Sequence, residues 1–555
     1  MKPRRRILMH VEVINMIPHS LSGEDQMDSE PNITVNPANP RHMAASAFTP
    51  DPLLSGNAPI YVSTDGGHTW ALNVVMPGGN VTNDITVRFA SHSNILYAGI
   101  LRGGTVDLNI LRKANFVAPG LMTVVVNKTN DDQPYIQAHS HAGTDRVFVG
   151  ENDFNATPQS ATVDLSQDAS TAASFLFDHV EPRATVGQDG PPIRPAIHQD
   201  GTIYVAYFGW RGSGGISFTS DVVVARDDHW AAGATRFADL IDTDLLPGMR
   251  VATGVSIPFS LGPFLGHQRS AGSGLAIAVD PKNSDIVYVA WADGTSAATY
   301  TLHLRRSADR GVSWSGDLRT IVQAMNPTLA INDQGEVGFF YQKLHNPGSG
   351  NRWQNQIEIS HDHFVTSTKI ILADTPDNNG PGPTLNPNNP IGDYAGLVTV
   401  GRNFYGIFSA NNTPDLANFP NGVKYQRNVN FLTKTLLDLS GNPVPVSYDP
   451  FHYQIRWPEE EREHHEPGEE HDIKYEAIEL KGLRYEKLEI KELRLSFEDP
   501  RRGRHTHPRH HHGHEHEHDE RGPVRRLGEE IEEIGRRIAD SVSRDDDGDD
   551  HRHHK

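Results

Sequence analysis

The chain contains no cysteine. That excludes disulfide bridges and any thiolate metal centre. It also lacks a long apolar run, and no stretch approaches the roughly 20 residues that a membrane-spanning helix needs. Basic residues are the minority, 50 Lys and Arg against 70 Asp and Glu, for a formal net charge of -20. A general nucleic-acid binder needs a basic face, so that class is excluded too. Long amphipathic helical patterns are missing before residue 520. The amino terminus starts basic, with Arg4-Arg5-Arg6, but its apolar segment to Ile17 is broken by His10, Glu12 and Asn15. This makes a poor secretion signal. A mature exported chain, another export route and an internal protein all fit.

What remains is a composition suited to many short strands and turns: 37% apolar residues, 49 Gly and 37 Pro in 555 residues. The length exceeds one ordinary domain, although large all-β units can reach it. A unit of strand, Asn/Asp/Gly turn and apolar strand recurs. It occupies residues 31–47, 84–100, 135–150, 194–208, 275–291, 327–341 and 394–408. Equivalent points are Ala45, Ala98, Val149, Ala206, Ala290, Phe340 and Ile407. Their spacing is roughly 50 residues or more, which suits a four-stranded propeller blade of about 40–50 residues. Alternating β-branched and aromatic residues support strands. Radial closure would hide their edges. The expected fold is therefore all-β: a β-propeller over residues 28–457, with seven blades favoured and six the alternative. An N-terminal arm (1–27) precedes it and a charged His-rich C-terminal extension (458–555) follows. Residues 245–274, between the fourth and fifth units, read as a long insertion, either a functional loop or a packed one.

Two copies of one pattern fall in the outer halves of the first and fifth units. They are Ser63-Thr64-Asp65-Gly66-Gly67-His68-Thr69-Trp70 and Ser307-Ala308-Asp309-Arg310-Gly311-Val312-Ser313-Trp314. Both read S-x-D-x-G-x-[ST]-W. Asp and Ser/Thr side chains bond backbone groups within a turn, Gly supplies unusual backbone angles, and Trp offers an anchoring face. Segments 226–230 and 360–364 are degenerate versions without the Gly. The pattern resembles the Asp-box (BNR repeat) of sialidases and of the wider sialidase-like β-propellers. The resemblance implies a structural role for Ser63, Asp65, Gly67, Trp70, Ser307, Asp309, Gly311 and Trp314, far from a substrate site on the axis. It also implies an extracellular or cell-surface setting.

A retaining sialidase grips its substrate carboxylate with arginines and attacks with a Tyr activated by a Glu. Tyr394-Ala395-Gly396-Leu397 resembles the family's last-blade segment, which implies Tyr394 as nucleophile with Asp393 beside it in the binding site. Asp84, opening the second unit, is the candidate acid, and Arg88, Arg194 and Arg269 are the candidate grips. The alternative for Tyr394 is a core aromatic with its hydroxyl satisfied. The family's early Arg-Ile-Pro signature is missing from the first unit, which reads Glu30-Pro31-Asn32-Ile33; its nearest echo is Ile193-Arg194-Pro195. A Glu partner for Tyr394 cannot be assigned.

The tail carries 14 of the 30 histidines. Residues 473–497 suggest short strands, and residues 528–542 an amphipathic helix. The imidazoles of His510, His511, His512, His514, His516 and His518 can bind Zn or Ni, and a solvated linker is the alternative. No cofactor is required by any motif. Three functions follow: a propeller binding a glycan or protein at its axis without full sialidase catalysis; an exo-sialidase-type glycoside hydrolase using Tyr394; and an assembly subunit self-associating through its tail.

Overall fold

The computed structural model describes residues 9–48, 59–74, 82–102, 107–171, 174–188, 192–215, 217–258, 274–294, 300–348, 350–377 and 391–457. Arg269, the tail histidines and the tail segments 473–497 and 528–542 lie outside the described residues. Among the described residues no helix is long and apolar enough to cross a membrane.

The sheets follow from how their second strands are built. Leu96–Arg102, Ile203–Ser213 and Val337–His345 are almost continuously buried rather than alternating. Such a strand must be covered on both faces. The cover is a neighbouring sheet on each side. Ala44 and Ile60 of one sheet, for example, pack with Ile85, Val87, Ala98 and Ile100 of the next. Small residues set the approach: a Cβ on Gly150 would lie 2.4 Å from the Ile193 carbonyl oxygen of the following sheet.

The described residues form six four-stranded sheets, one five-stranded sheet and a small three-stranded one within residues 429–444, each four-stranded sheet taking its strands in chain order. First strands are Ser29–Val35, Thr82–Phe89, Asp131–His141, Ile193–Ile197, Leu275–Asp280, Ala324–Ile331 and Gly396–Val400. Each packs against the first strand of the next sheet, and Gly396–Val400 packs against Ser29–Val35. The sheets thus stand in a propeller arrangement around an axis lined by first strands. Each recurring unit of sequence coincides with the first two strands of one sheet.

The last sheet joins the two ends of this ring. Gly396–Val400, Asn403–Asn411 and Tyr448–Arg456 come from late in the chain. His10–Asn15 then pairs antiparallel with Tyr448–Arg456, from His10 opposite Arg456 to Asn15 opposite Phe451. Residues expected only as an arm therefore supply a core strand, with Ile14, Met16 and Ile17 fully buried. The expected insertion at 245–274 is shorter than its sequence suggested. Met249–Pro258 is the fourth strand of the fourth sheet, its Val251 and Ile257 buried.

Both S-x-D-x-G-x-[ST]-W segments are turns between third and fourth strands. In the first, Ser63 Oγ donates to Asp65 (2.8 Å) and accepts from the Gly67 amide (3.0 Å). Asp65 also accepts from the Thr69 amide and hydroxyl (3.0 and 2.6 Å), and the Trp70 indole donates to the Gly67 carbonyl (3.0 Å). The second turn repeats this with Ser307, Asp309, Gly311, Ser313 and Trp314. A third turn has the same bonds without the glycine. Ser360 donates to Asp362 and accepts from the Phe364 amide, and Thr366 donates twice to Asp362. These bonds, from the Thr366 hydroxyl first, hold the Asp362 carboxyl at about 2. Phe364 takes the glycine's place at φ +67°. Its ring is buried against Tyr288 and Phe339, and that burial offsets the backbone cost.

Two predictions test this architecture. Ile14→Ala should cost about 2–5 kcal/mol, the usual penalty of a core Ile truncation. Urea denaturation should still show one transition, because this strand closes the ring. Asp309→Asn removes one charged acceptor at an exposed turn and should cost about 1 kcal/mol in the same measurement, leaving any axial ligand affinity unchanged.

Candidate functional site

The first strands line the axis, and four of them begin with a bulge. Register shifts fall between Ser29 and Asn32, Thr82 and Ile85, Asp132 and Tyr135, and Met325 and Thr328. Glu30, Gln133 and Asn326 within these bulges take positive φ of 54°, 53° and 51°. Bulges re-aim side chains and gather near binding sites. Here they turn the strand openings toward the axis at the end opposite the Ser/Asp turns.

Tyr394 precedes the last first strand, and its hydroxyl donates to the Asp84 carboxylate at 2.5 Å. Glu30 bonds to Asp84 as well. Gly392 permits this approach. It sits at φ +77°, and a Cβ there would lie 2.2 Å from Glu30 Cγ. Asn326 fixes the same segment, donating to the Gly392 carbonyl (2.9 Å) and to Gln342 (2.7 Å). Glu30 and Asn326 are thus parts of the site that sequence reasoning passed over. Glu30 was visible as the opening of the first unit, but only the bulge explains its direction.

The Arg194 guanidinium lies 4.4 Å over the Tyr135 ring and 5.3 Å over the Tyr394 ring. Arg194 is only 5% exposed, and the one hydrogen bond it shows is a long one of 3.5 Å to the Ile193 carbonyl. Five N–H donors in a buried place call for more acceptors than that. Arg88 also sits on the second first strand, its Nε buried without a hydrogen-bond partner. Burial lowers its pKa, and the Tyr135 hydroxyl acts against this. Asp393 joins Tyr135, Arg194, Thr328 and Tyr394 in lining a narrow axial cavity of about 30 Å³.

Electrostatics decide where the protons sit. Burial pushes the Tyr394 phenol well above its ordinary pKa, and the charges of Asp84 and Glu30 push the same way; Arg194 only partly opposes them. Burial also raises Asp84, against hydrogen bonds from Tyr394 and Glu30 and the Arg194 charge. The phenol therefore keeps its proton and gives it to Asp84 as a hydrogen bond. An activated nucleophile needs the opposite shift. Asp84 and Tyr394, which the sequence suggested as separate acid and nucleophile, are one hydrogen-bonded pair. Arg194 joins them, and Arg88 reaches the group only through Tyr135.

No protein-family model matches the chain. No curated protein sequence matches it. Solved structures do. The alpha-L-arabinanase of Penicillium chrysogenum is 11% identical, with a TM-score of 0.39 over 80% of this chain and 98% of that one. Phage phi92 endosialidase is 12% identical, with a TM-score of 0.39 over 85% and 72%. A mutant of NanB sialidase from Streptococcus pneumoniae is 13% identical, with a TM-score of 0.33 over 70% and 66%. Each likeness is one of architecture.

Proposed function

We propose that the chain is a glycan-binding β-propeller that engages its ligand at the Tyr394 end of the axis, without sialidase catalysis. The observation that carries this reading is the grouping of Arg194 with the Tyr135 and Tyr394 rings and with Asp84 and Asp393. Carboxylates accept from sugar hydroxyls, the guanidinium donates to a sugar carboxylate or ring oxygen, and aromatic faces cover the apolar side of a pyranose. The cavity's size argues against enclosure of a whole terminal sugar. At about 30 Å³ it is far below the roughly 300 Å³ at which ligand pockets begin. A glycan would then lie across the mouth.

A second reading, an exo-sialidase-type hydrolase, is favoured by one feature: a tyrosine bonded to a carboxylate beside an arginine. That arrangement is the outline of the sialidase nucleophile, although both carboxylates raise the phenol.

One pair of assays separates them. Calorimetry against acidic and neutral oligosaccharides should show binding that Arg194→Gln weakens about tenfold or more, the loss of one charge-assisted contact. A fluorogenic sialoside should give the same background with wild type and Tyr394→Phe. Release by wild type well above Tyr394→Phe would establish the hydrolase instead, and affinity unmoved by Arg194→Gln would remove the hub as the binding site.

A further inference from the structure

The other end of the axis carries a cavity far larger than the one beside Tyr394. It measures about 440 Å³, within the roughly 300–1,000 Å³ at which small-molecule pockets fall. Three sheets contribute to it. His92 and Ser93 come from the connection between the first two strands of the second sheet, and His139, Ser140 and His141 from the end of the third sheet's first strand. Gln199 comes from the first-to-second strand connection of the fourth sheet.

One carboxylate fixes this wall. Asp145, 2% exposed, accepts from the hydroxyls of Ser93 (2.6 Å), Ser140 (2.7 Å) and Tyr97 (2.8 Å). Those bonds tie the second sheet to the third. The backbone repeats the tie: the His92 amide donates to the Ser140 hydroxyl, and the Ser140 amide to the Ser91 hydroxyl, both at 3.0 Å. A wall held in this way needs little ordering when a ligand arrives.

The imidazoles are the groups left with bonding capacity. The His139 and His141 rings rest on Trp230 of the fourth sheet, at 5.3 and 4.5 Å. Among the described residues neither ring takes a hydrogen bond. His92 stands edge-on to His139 at 6.3 Å, its Nδ1 engaged with the Ser91 hydroxyl at 3.0 Å. Burial drives the His139 pKa down to about 4, followed by the charges of His92, His141 and His198, while Asp145 acts the other way. Its ring is therefore neutral at ordinary pH, with one donor and one acceptor.

Charge decides which ligand suits the cavity. Lysine and arginine are absent from the described lining, so an anion finds no counter-charge there. Asp145 is its one acid, and three hydroxyls already occupy that carboxylate. A sugar hydroxyl both gives and accepts a hydrogen bond, as a neutral imidazole does. We propose that this cavity is a binding site for a neutral sugar, whose hydroxyls bond His92, His139 and His141.

Trp230 reports on the site because two of the rings lie on it. An array of neutral glycans identifies the strongest-bound sugar, which is then titrated into the full chain. The Trp230 signal is the fluorescence difference between the chain with Trp230 and the same chain carrying Trp230→Phe. That difference should change saturably. His139→Phe keeps a ring on Trp230 but removes both nitrogens, and should move the midpoint about fivefold or more, the loss of roughly one hydrogen bond. His92→Ala should do likewise; His92 is exposed, so this variant should melt as wild type does. Arg194→Gln, which tests the Tyr394 end, should not move this midpoint, so the two sites stand or fall separately. No neutral glycan bound, a signal equal with and without Trp230, a midpoint unmoved by either histidine variant, or one moved by Arg194→Gln overturns the proposal.

Discussion

Everything in this molecule depends on the burial of second strands between neighbouring sheets. A strand such as Ile203–Ser213, apolar along nearly its whole length, has no stable exposed face. One neighbour covers half of it, and the next sheet has the same need. The demand ends only when the last sheet meets the first. Pairing of His10–Asn15 with Tyr448–Arg456 makes that meeting permanent within one chain. The strand is short, but without it Tyr453 and Ile455 would sit at an unpaired edge. Unpaired edges invite association with other chains.

Closure also decides where chemistry can happen. First strands face one another across the axis, so whatever opens or ends them is brought together from distant parts of the sequence. Glu30, Asp84, Tyr135, Arg194 and Tyr394 meet at the openings of those strands. At the opposite ends His92 and His139 line one cavity, their rings 6.3 Å apart. The Ser/Asp turns occupy the periphery of that opposite end. The hydrogen bonds of their Ser and Asp side chains are spent within the turn, which suits those side chains for holding strands in register.

Much of this was legible in the sequence, for a physical reason. A second strand buried on both faces writes an apolar run, and all seven units of strand, turn and apolar strand coincide with the first two strands of a sheet. The Ser-Asp turns at 63–70 and 307–314 were legible because glycine and tryptophan are conspicuous. The turn at 360–366 was less so, because Phe364 replaces the glycine. Its true signature is Ser360, Asp362 and Thr366, the three side chains that make the bonds. The closing strand was obscured by His10, Glu12 and Asn15. These break its apolar run, yet Glu12 bonds Lys424, Gln454 and Arg456 inside the sheet. The pairing of Tyr394 with Asp84 was beyond reach. Which of two axial residues meet is set by bulges, and a bulge has no spacing of its own in the sequence.

The treatment of charge at the hub differs from that in two clusters elsewhere, where a half-buried lysine and a buried arginine are surrounded by carboxylates. Lys128 lies 3.0 Å from Asp131, 3.2 Å from Asp164 and 3.4 Å from Asp153, and bonds Glu151 as well. Arg427 meets Asp449 at 3.0 Å with no exposure at all. In both places burial and crowding push a carboxyl, Glu151 or Glu24, well above its ordinary pKa, so the surplus acid is held protonated. These clusters are closed: the acids outnumber the cation, and protons make up the difference. Arg194 has no such company. Its guanidinium rests on two aromatic rings, close enough to Asp84 to influence it but without an ion pair at contact distance. Leaving a buried charge short of acceptors is costly, and folding alone gives no reason to do so. That condition, where the first strands converge, is the observation on which the proposed glycan contact at Arg194 rests.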